Sequence, residues 1–146
     1  MIYTEKTKKA MELCLKAHEG QVDKGGYPYC FHPIHLAEQM ESESECVVAL
    51  LHDVVEDCPS YPLERVVGEV GLKEEEERSL FLITHIKSMP YMEYCKGLSK
   101  DKIARKVKIA DLKHNLDRSR MNGEIQSSEP LMKEVLAMLL TEEKHL

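Results

Sequence analysis

The sequence predicts an all-α fold of about eight helices, arranged as a single domain over residues 1–146. Three observations carry that expectation. Apolar residues recur at steps of three and four along most of the chain, and no stretch alternates apolar with polar residues as a half-buried strand would. The interruptions fall at Pro, Gly and Ser, where helices start and stop. No internal repeat, linker or low-complexity tract divides the chain.

The first helix is expected from about Thr4 to Glu19, with Ala10, Met11, Cys14, Ala17 and His18 on one face. GQVDKGGYPYCFHP then reads as a long loop, and a short helix follows from Pro33 to Met40, because proline suits the first helical position. Ser42 and Glu45 form a capping-box pattern that opens a helix running to about Cys58, where Pro59 and Pro62 stop it. PLERVVGEVG reads as a short helix ended by Gly71, KEEEERSLFLITHIK as a longer one, and MPYMEYCKGLS as another brief one. SKDKIARKVKIADLKHNL is the strongest late helix, with Ser99 as its expected cap. The last helix, Pro130 to about Glu143, places Met132, Val135, Leu136, Leu139 and Leu140 on one side.

Composition narrows the function. With 42% hydrophobic and 32% charged residues the chain reads as a globular protein. No segment approaches the roughly 18 apolar residues of a membrane span, and the N-terminus has no signal-peptide pattern, so a cytoplasmic location and no membrane partner are expected. Five widely spaced cysteines without a C-x-x-C pair read as free buried thiols rather than a disulfide framework or zinc ribbon. A net charge of −6 argues against nucleic-acid binding. Its distribution is uneven. Between Gly25 and Glu64 there are eight acids and no Lys or Arg, whereas Lys100 to Arg120 holds eight basic residues against Asp101, Asp111 and Asp117. An acidic wall facing a basic one suits a metal holding a phosphorylated ligand; solvated helix faces of opposite sign would give the same counts.

The stretch ALLHDVVED at residues 49–57 ends an apolar helix in His52, Asp53, Glu56 and Asp57. On a helix, His52 and Glu56, and Asp53 and Asp57, form adjacent stripes within reach of one point. Carboxylates at a helix C-terminus oppose the macrodipole, and no basic neighbour in sequence offsets them. A divalent cation bound by imidazole nitrogen and carboxylate oxygen would do so; the plainer alternative is a polar helix end at the surface. His32, between Phe31 and Pro33, stands at a loop-to-helix junction, as a ligand or a structural hydrogen-bonder. Asp111 follows Ala104 and Val107 on an apolar stripe, where a carboxylate needs a metal or a cation as partner. His18 reads as a satisfied structural histidine, and His35, His85, His114 and His145 receive no assignment.

His32, His52-Asp53 and Asp111 reproduce the ordered H…HD…D signature of HD-domain metal-dependent phosphohydrolases. AHEGQVDKGGYPYCFHP, ALLHDVVEDCP and VKIADLKHNLDRSR extend the match, and together they resemble the hydrolase domain of RelA/SpoT-type alarmone enzymes and their small stand-alone relatives. The resemblance implies that His32, His52, Asp53 and Asp111 hold one metal, commonly manganese, and that Glu56 and Asp57 orient or deprotonate the attacking water. It implies cleavage of the 3′-pyrophosphate from guanosine tetraphosphate (ppGpp) or pentaphosphate, with Lys24 and Asn115 on the substrate side. A metal so held lowers the pKa of water and polarises phosphorus, and Lys24 and Arg118 are the cations expected to neutralise the developing charge.

Two departures bear on substrate choice. The family carries an Arg-Lys pair before the loop glycine, with the Arg stacking on guanine, whereas this chain reads Val22-Asp23-Lys24-Gly25. A carboxylate neither stacks as a guanidinium does nor attracts phosphate. After Asn115 the family tends toward Met-Arg-Thr, and this chain has Leu116-Asp117-Arg118. Three readings follow: an alarmone 3′-pyrophosphohydrolase, an HD phosphatase on another nucleotide such as a nucleoside monophosphate or a dinucleotide 2′-phosphate, and a non-catalytic nucleotide-sensing module. A homo-oligomer stays open.

Overall fold

The computed structural model describes residues 1–144, so His145 lies outside the described residues. The helices are α1 (Glu5–Ala17), α2 (Phe31–Glu38), α3 (Glu43–Leu51), α4 (Val54–Asp57), α5 (Leu63–Val70), α6 (Glu74–Ile83), α7 (Tyr91–Leu98), α8 (Lys102–Asn115) and α9 (Glu129–Lys144), with a 3-10 turn at Arg118–Met121. No sheet forms among the described residues, where a lone antiparallel bridge joins Val22 to Pro28. The all-α class expected from the sequence is the one observed.

Helix α3 is the axis of the core. Every side chain from Cys46 to Leu51 is fully buried, as befits a helix apolar on all sides, and α1, α2, α6 and α8 pack around it. Helix α8 runs beside it and also contacts α2, α6 and α9, burying Ala104, Val107 and Leu112. Leu50 lies at the centre, and Leu50→Ala is expected to cost about 2–5 kcal/mol in folding stability. A buried carboxylate ties three helices together: Glu76 on α6 accepts from Lys6 Nζ at 2.9 Å, from Ser44 Oγ at 2.7 Å and from the Lys73 amide at 3.0 Å.

Several boundaries differ from the expected ones, each for a local reason. The helix expected from Ser42 to Cys58 is two, α3 and α4, broken at His52 and Asp53. The buried His52 ring turns back and donates from Nδ1 to the Ala49 carbonyl at 2.7 Å, a tertiary demand that periodicity does not encode. Ser42 caps α3 by accepting the Glu45 amide at 3.2 Å, but Glu45 returns its carboxylate to the Glu41 amide, so the capping box is half formed. Asp101, not Ser99, caps α8, accepting the Ala104 amide at 2.8 Å, while the Ser99 hydroxyl donates to Lys96 O in the last turn of α7. Helix α2 starts two residues before Pro33 and so takes in His32. Gly71 ends α5 with φ of 80°, a left-handed cap that glycine adopts without a Cβ penalty.

Between α1 and α2 the loop folds into a narrow turn, with Asp23 N donating to Tyr27 O at 2.8 Å. Asp23 Oδ1 accepts the amides of Gly25 at 2.9 Å and Tyr27 at 3.0 Å. Gly25 lies so close to the 3-10 turn that a Cβ there would sit 2.2 Å from the Arg120 carbonyl oxygen. Glycine is what lets this loop lie against the segment that follows α8.

Candidate metal centre

The break between α3 and α4 aims His52 and Asp53 into the space between α2 and α8. His32, in the first turn of α2, and Asp111, in the last turns of α8, meet them there. One ligand atom each from His32, His52 and Asp53 lies within 4.8 Å of the others. Asp111 Oδ1 adjoins both imidazoles, 2.8 Å from His32 Nε2 and 3.6 Å from His52 Nε2. Asp53 Oδ2 is 2.9 Å from His52 Nε2 and 3.9 Å from His32 Nε2. Three residues, His32, His52 and Asp53, thus bring two nitrogens and a carboxylate oxygen together, and Asp111, 79 positions after His32, adjoins the two imidazoles from α8.

The hydrogen bonding around this point fits a cation. Because a carbonyl accepts from His52 Nδ1, the proton of a neutral His52 ring is on Nδ1 and the Nε2 lone pair is free. That Nε2 is buried and has no hydrogen-bond partner among the described residues, since Asp53 is near it but not aligned with it. An orphaned buried nitrogen beside two carboxylates is costly unless a ligand uses it. Burial opposes charge on His52, yet the Asp53 and Asp111 carboxylates outweigh it and raise its pKa well above the ordinary value, so positive charge is favoured at Nε2, carried by a proton that a bound cation would replace. For Asp53, burial is likewise outweighed, chiefly by His52, and its pKa is lowered to about 2. The donor set of two imidazoles and two carboxylates suits a borderline or hard divalent ion.

A second layer of contacts holds these groups. Tyr29 OH donates to Asp53 Oδ2, and burial followed by the Asp53 charge raises its pKa, so it stays a donor. Lys108, one turn before Asp111 on α8, donates to Oδ2 at 2.9 Å. Its ammonium also lies 5.3 Å from the ring centroids of Tyr91 and Tyr94. Asn115 Nδ2 donates to Asp111 Oδ1 at 3.1 Å. His32 Nδ1 meets His114 Nδ1 at 2.7 Å, with the two rings stacked within 2° of parallel. Tyr29, Lys108 and His114 were not singled out from the sequence. The spacing of Lys108 three residues before a core-facing Asp was a usable signal, whereas Tyr29 and His114 meet their partners only through the tertiary fold.

Glu56 and Asp57, on the single turn of α4, stand at the exposed edge of this cluster. Glu56 Oε1 accepts the His85 amide at 2.7 Å. Desolvation by the surrounding atoms, then the Asp53 charge, raises the Glu56 pKa. The same desolvation, with repulsion from Asp53 and Glu56, raises Asp57 to about 6. Asp57 is thereby poised to take up a proton not far below neutral pH.

Beside the cluster a cleft of about 360 Å³ is lined by Lys24, Tyr29, Asn115, Arg120, Gln126 and Met132, among others. Lys24 Nζ donates to Gln126 Oε1 at 2.9 Å. Arg118 does not line this cleft; its guanidinium pairs with Glu129 at 2.7 Å. Asp117 caps the 3-10 turn by accepting the Ser119 amide at 3.0 Å, and this phase turns Arg118 outward and brings in Arg120, which sequence reasoning missed. His18, expected to be satisfied, is so at one nitrogen: Nδ1 meets Gln21 Oε1 at 2.8 Å, and Nε2 has no hydrogen-bond partner among the described residues. The five cysteines are free thiols, as expected, and four are buried while Cys30, at the start of α2, is only partly so; no helix among the described residues is long and apolar enough to cross a membrane.

No protein-family profile matches the chain. Segments of it are similar to curated proteins. It is 46% identical over 59 residues to a guanosine-3′,5′-bis(diphosphate) 3′-pyrophosphohydrolase of Haemophilus influenzae, covering 38% of this chain and 9% of that protein. It is 35% identical over 71 residues to the bifunctional (p)ppGpp synthase/hydrolase SpoT of Escherichia coli, covering 44% and 10%. The chain therefore spans about a tenth of the length of these relatives. Among solved structures it superposes on a metazoan ortholog of SpoT, described as hydrolysing ppGpp, with a TM-score of 0.76 and 22% identity over 97% of this chain and 87% of that one. The fold is thus the all-α fold of that hydrolase, and the resemblance to alarmone hydrolases read from the sequence agrees with these likenesses.

Proposed function

We propose that the chain is a divalent-metal-dependent phosphohydrolase that removes the 3′-diphosphate from guanosine tetraphosphate or pentaphosphate, with manganese as the ion and the cytoplasm as the setting. The observation that carries this reading is the close grouping of His32, His52 and Asp53 ligand atoms, with Asp111 beside the two imidazoles and Glu56 and Asp57 one turn further along. The likeness to named 3′-pyrophosphohydrolases supports the substrate. A single HD-type domain over the whole chain belongs to the same proposal.

His32 and His52 would bind the ion through Nε2, and Asp53 and Asp111 through one oxygen each. The ion, when bound, acidifies water and polarises phosphorus. The remaining steps belong to the protein. Tyr29, Lys108 and Asn115 fix the two aspartates so that their geometry survives substrate entry. Glu56, anchored by the His85 amide, orients the attacking water, and Asp57 accepts its proton, a contribution typically worth ~10²–10⁴-fold in rate. The water oxygen bonds to the phosphorus next to the ribose 3′ oxygen, the P–O3′ bond breaks with its electron pair going to the 3′ oxygen, and that oxygen takes up the proton held by Asp57, giving GDP or GTP with a free 3′ hydroxyl and pyrophosphate. Lys24 stands in the adjacent cleft to offset charge on the diphosphate.

Asp23 favours a second reading with the same site and another nucleotide phosphate, because it occupies the loop position where the alarmone enzymes carry a stacking Arg. A non-catalytic nucleotide sensor is the third reading, and the presence of both Glu56 and Asp57 argues against it. Release of pyrophosphate from guanosine tetraphosphate with manganese, compared with phosphate release from guanosine and adenosine 3′- and 5′-monophosphates, separates the three. The first reading is abandoned if the alarmone is not turned over, and the third gains if it binds tightly without turnover.

A further inference from the structure

We propose that Arg120 is the specificity-determining cation of this site: it takes a phosphate group of the substrate, with Asp23 as its resting partner and Asn115 as its link to Asp111. The inference rests on reading the cleft as a phosphate-ester site, and it adds a residue that the sequence did not single out.

Three features of Arg120 carry it. First, the guanidinium is fixed. Nη1 donates to the His114 carbonyl at 2.9 Å and to Asn115 Oδ1 at 3.2 Å, and the side chain is only 13% exposed. Second, it has donors to spare. A guanidinium carries five N–H groups; among the described residues Nε and Nη2 have no hydrogen-bond acceptor, and Asp23 Oδ2 stands 3.7 Å from Nη2, beyond hydrogen-bonding distance. Arg120 lines the cleft with Lys24 and Tyr29, so these donors border a space that a ligand can enter. Third, its position is set by backbone packing, because Gly25 lies against the Arg120 carbonyl.

Asp23 has two separate jobs in this arrangement. Its Oδ1 shapes the loop by accepting the Gly25 and Tyr27 amides, which leaves Oδ2 to face Arg120. A largely buried guanidinium beside a carboxylate out of hydrogen-bonding range gains by exchanging it for a phosphate, whose oxygens match the guanidinium fork two at a time. The loop keeps Lys24, and the 3-10 turn adds Arg120 as a second cation lining the same cleft. Binding there reaches the metal centre in two contacts, since Asn115 accepts from Arg120 and donates to Asp111. Arg118, already hydrogen-bonded to Glu129, has no such role.

The test measures binding of inorganic pyrophosphate to the full chain in chelator, and KM and kcat on guanosine tetraphosphate with manganese, for Arg120→Gln, Arg120→Lys and Asp23→Asn. Arg65→Gln removes the same charge from α5 as a control. Arg120→Gln is expected to weaken pyrophosphate binding and raise KM about 10- to 100-fold, the range of one or two charge-assisted hydrogen bonds, with kcat changed far less. Arg120→Lys recovers part of this, Asp23→Asn tightens pyrophosphate binding, and Arg65→Gln changes neither quantity. Wild-type pyrophosphate affinity in Arg120→Gln overturns the proposal, as does a variant that lowers kcat and manganese affinity while KM and pyrophosphate binding stay put. The latter would make Arg120 a prop for Asn115. Should the wild type hydrolyse the alarmone while Arg120→Gln keeps its KM, this inference falls and the hydrolase reading stands. If pyrophosphate binds through Arg120 but no nucleotide is turned over, the reverse holds.

Discussion

Glu76 and Asp111 are both buried carboxylates on neighbouring helices, and they answer the cost of burial in opposite ways. Glu76 is closed: three donors from Lys6, Ser44 and the Lys73 backbone surround it. Burial would raise its pKa, but these donors, led by Lys6, lower it. Asp111 has Lys108, His32 and Asn115 as partners, yet it shares its space with Asp53 and with a His52 nitrogen that no described group satisfies. One cluster is complete within the protein; the other has ligand atoms left over. That difference, rather than burial or charge as such, separates a structural polar cluster from a candidate metal centre.

Breaking the two clusters should therefore have opposite signatures. The largest effect is expected for Asp53→Ala, which removes activity on guanosine tetraphosphate to background while the far-ultraviolet spectrum keeps its helical form. Glu56→Ala is next, with kcat reduced about 10²–10⁴-fold and the metal retained. Glu76→Ala leaves the metal centre intact and instead lowers stability by about 1–3 kcal/mol, the penalty of leaving the Ser44 and Lys73 donors unpaired, measurable by urea unfolding. Its kcat at a temperature where it remains folded is expected to match the wild type.

Asp57 sharpens the comparison through pH. Its pKa is raised from 3.8 to about 6, so folding favours its protonated form. The associated stability is fully present below about pH 4 and is lost as pH rises through about 6. Asp57→Asn is accordingly expected to melt higher than the wild type at pH 7.5, with the difference vanishing by pH 4. Activity runs the other way: the base must be ionised, so the wild-type rate falls as pH drops through about 6, and the Asn variant is slowed about 10²–10⁴-fold and loses this pH dependence. Raised stability together with lost activity is the mark of a strained functional carboxylate, and Glu76→Gln should show neither.

Much of this was legible in the sequence because it depends on spacing. The helical period placed Asp111 on the Ala104–Val107 stripe, and that is enough to say that a buried acid needs a cation. What could not be read depends on tertiary partners. His52 breaks its helix because the Ala49 carbonyl is within reach once the ring is buried, and no local pattern announces that. His114 reaches His32 across 82 positions. The choice of Arg120 over Arg118 turns on the phase of a single 3-10 turn and on Gly25 admitting the loop against it. Asp101 displaced Ser99 as a cap because Ser79 on α6 also donates to its carboxylate, a contact from another element.

The most direct test of the central claim is a calorimetric titration of manganese into chelator-stripped protein, with wild type, Asp53→Ala and Glu76→Ala compared. One saturable site per chain in the wild type and in Glu76→Ala, abolished in Asp53→Ala, is the predicted result. Equal binding in wild type and Asp53→Ala, or no saturable binding in the wild type, would contradict the assignment of His32, His52, Asp53 and Asp111 as a metal centre.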